Sequence, residues 1–283
     1  MDEKKDIAVV YLVAGLSSRF GGRIKQFAKV GLNGETLIEC SIDQAIKAGF
    51  TKIIFIVGDK TKDSFQEMFR DEFQGIPVKY AYQTFDQEAR DKPWGTTEAL
   101  LCAKEFLDCP FVVCNGDDIY GEKTFKILVN HINESNDSAT IGYRLGEGLP
   151  EKGTTNRGIF HVNEQEYVED IVETYNIEKS KLDERGLTSN TLCSMNIFVL
   201  QPSIINDLES IFEQFKIEHK DDRTSEAILA KDFPKLLRKG LLKIKLYSTP
   251  DKWLGVTNPE DEEIVKNKIK ALSQKHPKPE HQD

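Results

Sequence analysis

Residues 7–27, IAVVYLVAGLSSRFGGRIKQF, decide the fold of this chain. The first seven of them are continuously apolar, which is typical of a strand buried on both faces of a parallel sheet. Glycines and serines then let the backbone turn tightly and direct N–H groups at a guest, and two arginines and a lysine add positive charge. This composition predicts a phosphate-binding loop, but a glycine turn with solvated basic residues accounts for it equally well.

Two common phosphate-binding motifs do not fit this loop. A dinucleotide-binding fingerprint needs glycine where Ser17 stands. A Walker A loop needs glycine and then lysine where Phe20 and Gly21 stand. The segment therefore belongs to neither motif.

Strand patterns alternate with helical patterns in the first half of the chain. Strands are predicted at residues 52–57, 78–82 and 111–114, and helices at residues 36–48, 62–73 and 96–106. This alternation predicts an α/β fold with a doubly wound, mixed but mostly parallel sheet, in which ligands bind beyond the carboxyl ends of the strands. The second half of the chain is richer in strands and loops.

A carboxylate pair, Asp117 and Asp118, follows the predicted strand at residues 111–114. Mg²⁺ takes only one or two protein carboxylates and leaves its other positions to phosphate oxygens and water. The sequence Asn-Gly-Asp-Asp is also a common turn composition before a helix. A magnesium ligand and a simple turn both remain open at this point.

The composition excludes several classes of protein. The net charge of −9 argues against a nucleic-acid partner, and no apolar run is long enough to predict a membrane span. The N-terminal pattern is not that of a signal peptide, so we expect a cytoplasmic protein. The five cysteines lack CxxC spacing, which favours reduced core thiols over disulfides or zinc.

The first loop resembles the signature of the nucleotidyltransferases that make nucleoside-diphosphate sugars, L-A-A-G-x-[GS]-[ST]-R-(x)n-P-K. Residues 12–19 read LVAGLSSR, Lys25 stands in the lysine place, and Ile24 replaces the proline. The resemblance implies a Rossmann-like nucleotidyltransferase fold of the glycosyltransferase-A type. It further implies that the triphosphate is wrapped by the loop residues Leu12, Ala14, Gly15, Ser17 and Ser18.

The same resemblance assigns roles to charged residues. Arg19 would hold the leaving β and γ phosphates, and Lys25 would neutralise the α-phosphate under attack. Asp117 would be the metal ligand for Mg²⁺, and Asp118 beside it would contact the metal through water and contribute to acceptor binding. A second metal ligand near Asp251 or Asn258 is left open, and the segment around Asn258 also reads as a helix start with Pro259 at its first position.

Three further residues match the base-binding motifs of the family. By this match Gln83, Gly95 and Thr96 would contact the nucleotide, and a glutamine amide can both donate to and accept from a base edge. A surface glutamine and a helix capped by Thr96 or Thr97 are the alternative for the same residues.

Gly158, Glu173 and Asn196 would contact the acceptor by the same match, and a solvent-facing charge is the alternative for Glu173. Thr174 stands where relatives carry the lysine that binds the sugar phosphate. Lys179 or Lys181 could supply the missing cation.

The resemblance implies one nucleotidyltransferase domain over residues 1–272, with a nucleotide-binding half at about 1–135 and an acceptor-binding, strand-rich half at about 136–272. Residues 273–283 are polar and are predicted to be a disordered tail. The expected substrates are a nucleoside triphosphate and a sugar 1-phosphate or related phosphorylated small molecule, condensed to an activated sugar and pyrophosphate. The alternatives are a metal-dependent glycosyltransferase and a non-catalytic nucleotide or sugar regulator. The base, the acceptor and a homo-oligomeric state are left open.

Overall fold

The structure is a computed structural model that describes residues 5–15, 20–150, 152–256 and 258–275. The strands are β1 Ala8–Leu12, β2 Lys52–Val57, β3 Glu72–Phe73, β4 Ile76–Tyr82, β5 Phe111–Asn115, β6 Asp118–Ile119, β7 Ser138–Arg144, β8 Thr155–Val162, β9 Val168–Ile177, β10 Leu192–Leu200, β11 Ile244–Ser248 and β12 Leu254–Gly255. The α-helices are α1 Leu37–Ala48, α2 Lys62–Phe69, α3 Thr96–Cys102, α4 Glu122–Glu134, α5 Leu145–Gly148, α6 Ile204–Glu218, α7 Leu229–Arg238 and α8 Asp261–Lys275.

The strands form one central mixed sheet in the order β11-β7-β10-β5-β1-β2-β4-β3. Strands β5, β1, β2 and β4 are parallel, and β11 is parallel to β7. Strand β10 runs antiparallel between β5 and β7, and the hairpin of β8 and β9 joins the sheet through β10. The predicted doubly wound, mostly parallel α/β sheet is therefore confirmed.

The central strands bury both of their faces, as their apolar runs predict. Val9 and Tyr11 pack in the layer beneath α1, α2 and α4, whereas Ala8 and Val10 pack in the opposite layer beneath α3, α6 and α7. A third, smaller cluster includes Phe20 and joins the segment after the first loop to β6, β12 and α8. This small cluster supports the edge of the sheet where the candidate site lies.

Local chemistry fixes the bounds of α1. Thr36 caps the helix in a reciprocal box with Glu39, and Gly49 ends it in the left-handed region at φ 115°. The helix predicted at residues 62–73 is wrong in its last four residues. Helix α2 ends at Phe69, Arg70 takes φ 51°, and residues 72–73 pair with β4 instead. The predicted helix at 96–106 divides into α3 and the 3₁₀ turn Lys104–Phe106.

The C-terminal helix starts and ends later than predicted. Asn258 lies in the turn before α8 and donates its backbone N–H to the Asp261 carboxylate at 2.7 Å. The helix extends to Lys275, three residues into the predicted tail, and residues 276–283 lie outside the described part of the chain. The boundary predicted near residue 135 falls between α4 and β7 and stays a prediction.

Two other sequence expectations concern the chain as a whole. All five cysteines are free thiols, as their spacing predicts. In the described ranges, no helix combines the length and the apolar character that a bilayer crossing requires.

Candidate active site

An ion pair between Lys25 and Asp117 stands at the carboxyl edge of the sheet. Lys25 begins a 3₁₀ turn, and Asp117 follows β5, so 92 positions of sequence separate the two residues. The Lys25 ammonium contacts Asp117 Oδ2 directly. Their side chains remain 24% and 22% exposed, so both charged groups are accessible to a ligand. The structure thus brings together two residues that the sequence assigned to catalysis.

The loop after β1 provides the neighbouring wall of the site. Leu12 lies in β1 beside β5 and accepts the backbone N–H of Gly116 at 3.2 Å. Ala14 is half-buried and Gly15 is exposed, and no atom of the described residues lies within 4 Å of a Cβ added at Gly15. The predicted phosphate-binding residues Ser17, Ser18 and Arg19 lie outside the described residues.

Asp118 is buried and belongs to the internal support of the acidic loop. Its Oδ2 accepts hydrogen bonds from Asn115 Nδ2 at 2.9 Å and from the Tyr120 hydroxyl at 3.2 Å. Burial and the charge of Asp117 raise the pKa of Asp118 to about 7. The Trp253 indole N–H faces this carboxylate and helps to lower its pKa, but it has no partner within normal hydrogen-bond distance. Asp118 is therefore buried among protein groups, whereas the Asp117 side chain is 22% exposed.

Gly255 allows the close packing around Asp118. The two residues are register partners in the small sheet of β6 and β12. A Cβ at Gly255 would stand 2.7 Å from Asp118 Oδ1 and still closer to the Trp253 ring. Only glycine fits between these two side chains.

Tyr120 connects the acidic loop to the acceptor half. Its hydroxyl accepts the Asn115 backbone N–H at 3.1 Å and lies 2.9 Å from the Met195 carbonyl oxygen. The next residue, Asn196, is exposed in a bulge of β10 with φ 56°. Asparagine tolerates this conformation better than most residues, so the backbone alone gives a reason for its presence.

Gln83 is buried and its orientation is fixed by protein groups. Its side-chain nitrogen donates to the Gly95 carbonyl at 2.9 Å and to the Glu98 carboxylate at 2.9 Å. Glu98 also accepts the backbone N–H of Trp94 at 3.0 Å. With both amide N–H groups occupied, the Gln83 carbonyl oxygen is the atom left to accept a hydrogen bond from a ligand.

Gly95 and Thr96 have structural partners. Gly95 precedes α3 with φ 105°, and an added Cβ would stand 2.4 Å from the Ala227 carbonyl oxygen. Thr96 Oγ1 accepts the Leu229 backbone N–H at 3.0 Å. No side chain caps α3, so the predicted capping by Thr96 or Thr97 is wrong. Both threonine hydroxyls instead contact the segment that contains α7.

In the hairpin of β8 and β9, the residues that were predicted to contact the acceptor substrate have direct cross-strand partners. Gly158 is directly opposite Glu173, and Arg157 is directly opposite Thr174. The Thr174 hydroxyl donates to the Val172 carbonyl at 3.2 Å. Lys181, one of the two lysines considered for the missing cation, forms an ion pair with Glu178 at 2.7 Å.

The acidic residues fit a site built on one exposed carboxylate. Asp251, considered as a second metal ligand, accepts the Thr124 backbone N–H at 3.0 Å and thus caps α4. Within the described ranges, no group of three or more His, Cys, Asp or Glu side chains could enclose a cation. Asp117 is exposed enough to coordinate Mg²⁺, which often takes a single protein carboxylate when phosphates supply the other oxygens.

Sequence reasoning missed Glu98, Tyr120 and Trp253. An acidic residue in the first turn of α3 is ordinary helix chemistry, so nothing in the sequence links Glu98 to Gln83. Tyr120 and Trp253 act through partners 75 and 135 positions away. Pairings at such separations depend on the sheet order.

Comparisons with known proteins agree with this architecture. Residues 22–261 match the model of the family described as nucleotidyl transferase. The chain is 24% identical to UTP–glucose-1-phosphate uridylyltransferase AglF of Haloferax volcanii over 222 residues, which are 77% of this chain and 86% of that protein. It is 25% identical to D-glycero-alpha-D-manno-heptose 1-phosphate guanylyltransferase of Campylobacter jejuni over 230 residues, which are 79% of this chain and 91% of that protein. The solved inositol-1-phosphate CTP transferase from T. maritima superposes with a TM-score of 0.64 and 16% identity, covering 95% of this chain and 98% of that one.

Proposed function

The chain belongs to the nucleotidyl transferase family, and on this premise we propose that it joins a nucleoside triphosphate to a sugar 1-phosphate or a related phosphorylated small molecule. The products would be a nucleotide-activated compound and pyrophosphate. The names of the two similar proteins, a uridylyltransferase and a guanylyltransferase for sugar 1-phosphates, support this substrate class.

The contact between Lys25 and Asp117 carries the proposal. One ammonium and one carboxylate meet at the carboxyl edge of a doubly wound sheet, where such folds bind their ligands. Gly15, which is exposed, follows β1 at the same edge. A phosphate entering there can take over the Lys25 ammonium as its counter-charge.

The reaction needs no covalent intermediate on the protein. An oxygen of the acceptor phosphate attacks the α-phosphorus, a new P–O bond forms, and the bond to the bridging oxygen breaks as pyrophosphate leaves. The attacking oxygen is already ionised at neutral pH, so the protein contributes positioning and charge neutralisation. Lys25 neutralises the α-phosphate, and Arg19 is proposed to hold the leaving phosphates.

We assign Asp117 as the residue that would hold Mg²⁺. The ion would neutralise phosphate charge and orient the triphosphate. Asp118, which is buried and hydrogen-bonded by Asn115 and Tyr120, would support the loop from within.

The two alternatives are distinguishable from this proposal. The family match gives no support to a glycosyltransferase. A non-catalytic regulator would bind nucleotide without releasing pyrophosphate.

Pyrophosphate release with Mg²⁺ tests the proposal across the common nucleoside triphosphates and a panel of sugar 1-phosphates with phosphocholine. We expect release with one pair, and Asp117→Asn should lower kcat by at least about 100-fold because it removes the exposed carboxylate. Asp108→Asn is the matched control, since Asp108 forms an ion pair with Lys52 at 2.5 Å and its side chain is 70% exposed. Full activity of folded Asp117→Asn would remove Asp117 from the mechanism, and nucleotide binding without release from any pair would favour a regulator.

A further inference from the structure

Arg157 lies in β8, and its guanidinium includes a buried N–H group that has no hydrogen-bond acceptor among the described residues. Its Nη1 donates to Thr155 Oγ1 at 3.1 Å and to the Asn156 carbonyl at 2.9 Å, and its Nη2 donates to the Gly148 carbonyl at 3.3 Å. All three acceptors are neutral. The Nε atom is buried without a hydrogen-bond partner, and no carboxylate of the described residues pairs with this guanidinium.

Arg90 shows what a purely structural arginine looks like in the same molecule. Each of its three nitrogens donates to a backbone carbonyl, at 3.1 Å to Lys92, 3.0 Å to Asp222 and 2.5 Å to Ser225. Arg157 differs from Arg90 in one group, since its buried Nε–H has no hydrogen-bond acceptor among the described residues. Burial of such a group is unfavourable unless an acceptor completes it, and an anion would satisfy both the charge and the N–H.

The position of Arg157 favours a ligand of the candidate active site. Its guanidinium carbon lies 5.3 Å from the centre of the Trp253 ring, and the same indole faces Asp118. One aromatic ring therefore separates the guanidinium from the acidic loop. Stacking on an indole holds a guanidinium plane in a fixed orientation, which suits recognition of a phosphate by two parallel hydrogen bonds.

The sheet register links Arg157 to the lysine that is absent at position 174. Arg157 and Thr174 are direct cross-strand partners, and such partners lie side by side on the same face of a sheet. A cation on either strand therefore reaches the same region.

We propose that Arg157 binds the phosphate group of the acceptor, supplying from β8 the positive charge that Thr174 on β9 lacks. This inference rests on the proposed function, because it takes the acceptor to be phosphorylated. Arg157 contacts substrate in this proposal and determines which acceptors bind. Acceptors without an anionic group at that position are disfavoured.

Steady-state kinetics with the nucleotide and acceptor found in the pyrophosphate assay give the first test. Arg157→Gln should raise the KM for the acceptor by about 10- to 100-fold, the range expected for lost hydrogen bonds to a charged group. The KM for the nucleotide and kcat should stay within about twofold, because only acceptor binding is weakened. Thr174→Lys added to Arg157→Gln should recover most of the acceptor affinity. Arg185→Gln is the matched control, since exposed Arg185 in the same half donates only to the Tyr175 carbonyl at 2.6 Å.

A purely structural role gives a different pattern. It would change both KM values and kcat together, and Thr174→Lys would restore none of them; either result overturns the proposal. Arg157→Lys covers the case in which Arg157→Gln fails to fold. Lysine keeps the positive charge but cannot form two parallel hydrogen bonds to a phosphate. The KM of Arg157→Lys for the acceptor should therefore lie between those of the parent protein and Arg157→Gln.

Binding of inorganic phosphate, followed by calorimetry, separates this inference from the proposed function. The background is Lys25→Met, which removes the lysine expected to bind nucleotide phosphates. We expect saturable phosphate binding to Lys25→Met and at least about 10-fold weaker binding to Lys25→Met/Arg157→Gln. If phosphate binding depends on Arg157 in this way but the parent protein releases no pyrophosphate, the Arg157 site is supported and the proposed function fails. Equal binding by the two variants, or none by either, overturns the Arg157 site whatever the turnover assay gives.

Discussion

The hydrogen bonds around Gln83 fix which atom of its side-chain amide can bind a ligand. Glu98 and the Gly95 carbonyl take both of its amide N–H groups, so the Gln83 carbonyl oxygen is left as a pure acceptor for the predicted base contact. Each nucleobase carries an N–H group that such an oxygen can accept. Glu98 therefore acts as a positioning residue for Gln83 and for the backbone at Trp94.

The substitution Glu98→Gln tests that role. Both donors converge on Glu98 Oε2, so a glutamine carbonyl oxygen can accept the same two hydrogen bonds, but they lose the strength that the carboxylate charge gives them. We expect the KM for the nucleotide to rise about three- to tenfold, with the acceptor KM nearly unchanged. Glu105→Gln on the exposed turn after α3 is the control. An unchanged nucleotide KM in folded Glu98→Gln would contradict the role.

The five thiols provide a second prediction at this scale. Burial raises the pKa of Cys102, Cys109 and Cys193 to about 11 and that of Cys40 to about 12, and it raises the pKa of Cys114 well above its ordinary value. The reactive thiolate is therefore scarce in the folded protein at pH 8. Alkylation by iodoacetamide at pH 8, followed by mass spectrometry, should be at least about 100-fold slower in the folded chain than in urea. A thiol labelled at the same rate in both conditions would show that its surroundings are not as described.

The loop before α3, which carries the predicted base-binding residue Gly95, packs against the segment before α7, which is distant in sequence. Arg90 is buried, stacks on Trp94 with its guanidinium carbon 3.3 Å from the ring centre, and binds the carbonyls of Asp222 and Ser225. The loop before α3 is thereby joined to the segment before α7. Gly95, packed against Ala227, lies within the same junction.

Removal of the Arg90 guanidinium should destabilise this junction. Arg90→Met leaves three carbonyl oxygens without their donor, so we expect the free energy of unfolding to fall by roughly 2–4 kcal/mol. Arg223→Met is the comparison. Arg223 pairs with Asp91 at 2.8 Å and also donates to the Glu88 and Gln87 carbonyls, but its side chain is 46% exposed. Water can replace these hydrogen bonds, so the loss should stay below about 1 kcal/mol. Urea unfolding of both variants gives the two free energies of unfolding. Equal losses in Arg90→Met and Arg223→Met would show that the buried Arg90 guanidinium has no special role in the junction.

Taken as a whole, the molecule is one sheet shared by both predicted halves. Strand β10 of the acceptor half pairs with β5 of the nucleotide half, and Tyr120 reaches the Met195 carbonyl across that boundary. Because each half completes the other's sheet, we expect the two to unfold together.

Both tryptophans lie where the two halves meet: Trp94 packs against Phe212 and Phe215 of the second half, and Trp253 faces Asp118 of the first half. Single-tryptophan variants Trp94→Phe and Trp253→Phe should each show one urea transition by fluorescence. For each variant, the urea midpoint measured by tryptophan fluorescence should equal the urea midpoint measured on the same variant by circular dichroism. A tryptophan whose transition precedes that of the secondary structure would show that the two halves separate before they unfold.

Sequence patterns predicted the long strands and most helices, because apolar periodicity is a local property, and the family resemblance singled out Lys25 and Asp117 without predicting their contact. They could not predict that Arg70 would end α2 early, since no breaker residue marks that position. The support of Gln83 by Glu98 and the pairing of Arg157 with Thr174 depend on register between distant segments. Register follows from the assembled sheet, which hydrophobic patterning along one strand does not specify.

The antiparallel placement of β10 also has a consequence for synthesis of the chain. Strand β5 emerges from the ribosome well before β10, and one side of β5 stays an open edge until Leu192–Leu200 has been made. That edge belongs to an apolar strand, and unpaired apolar edges invite intermolecular pairing. A nascent chain that pauses between residues 135 and 192 therefore exposes its most aggregation-prone surface, and this interval is where a chaperone would protect it.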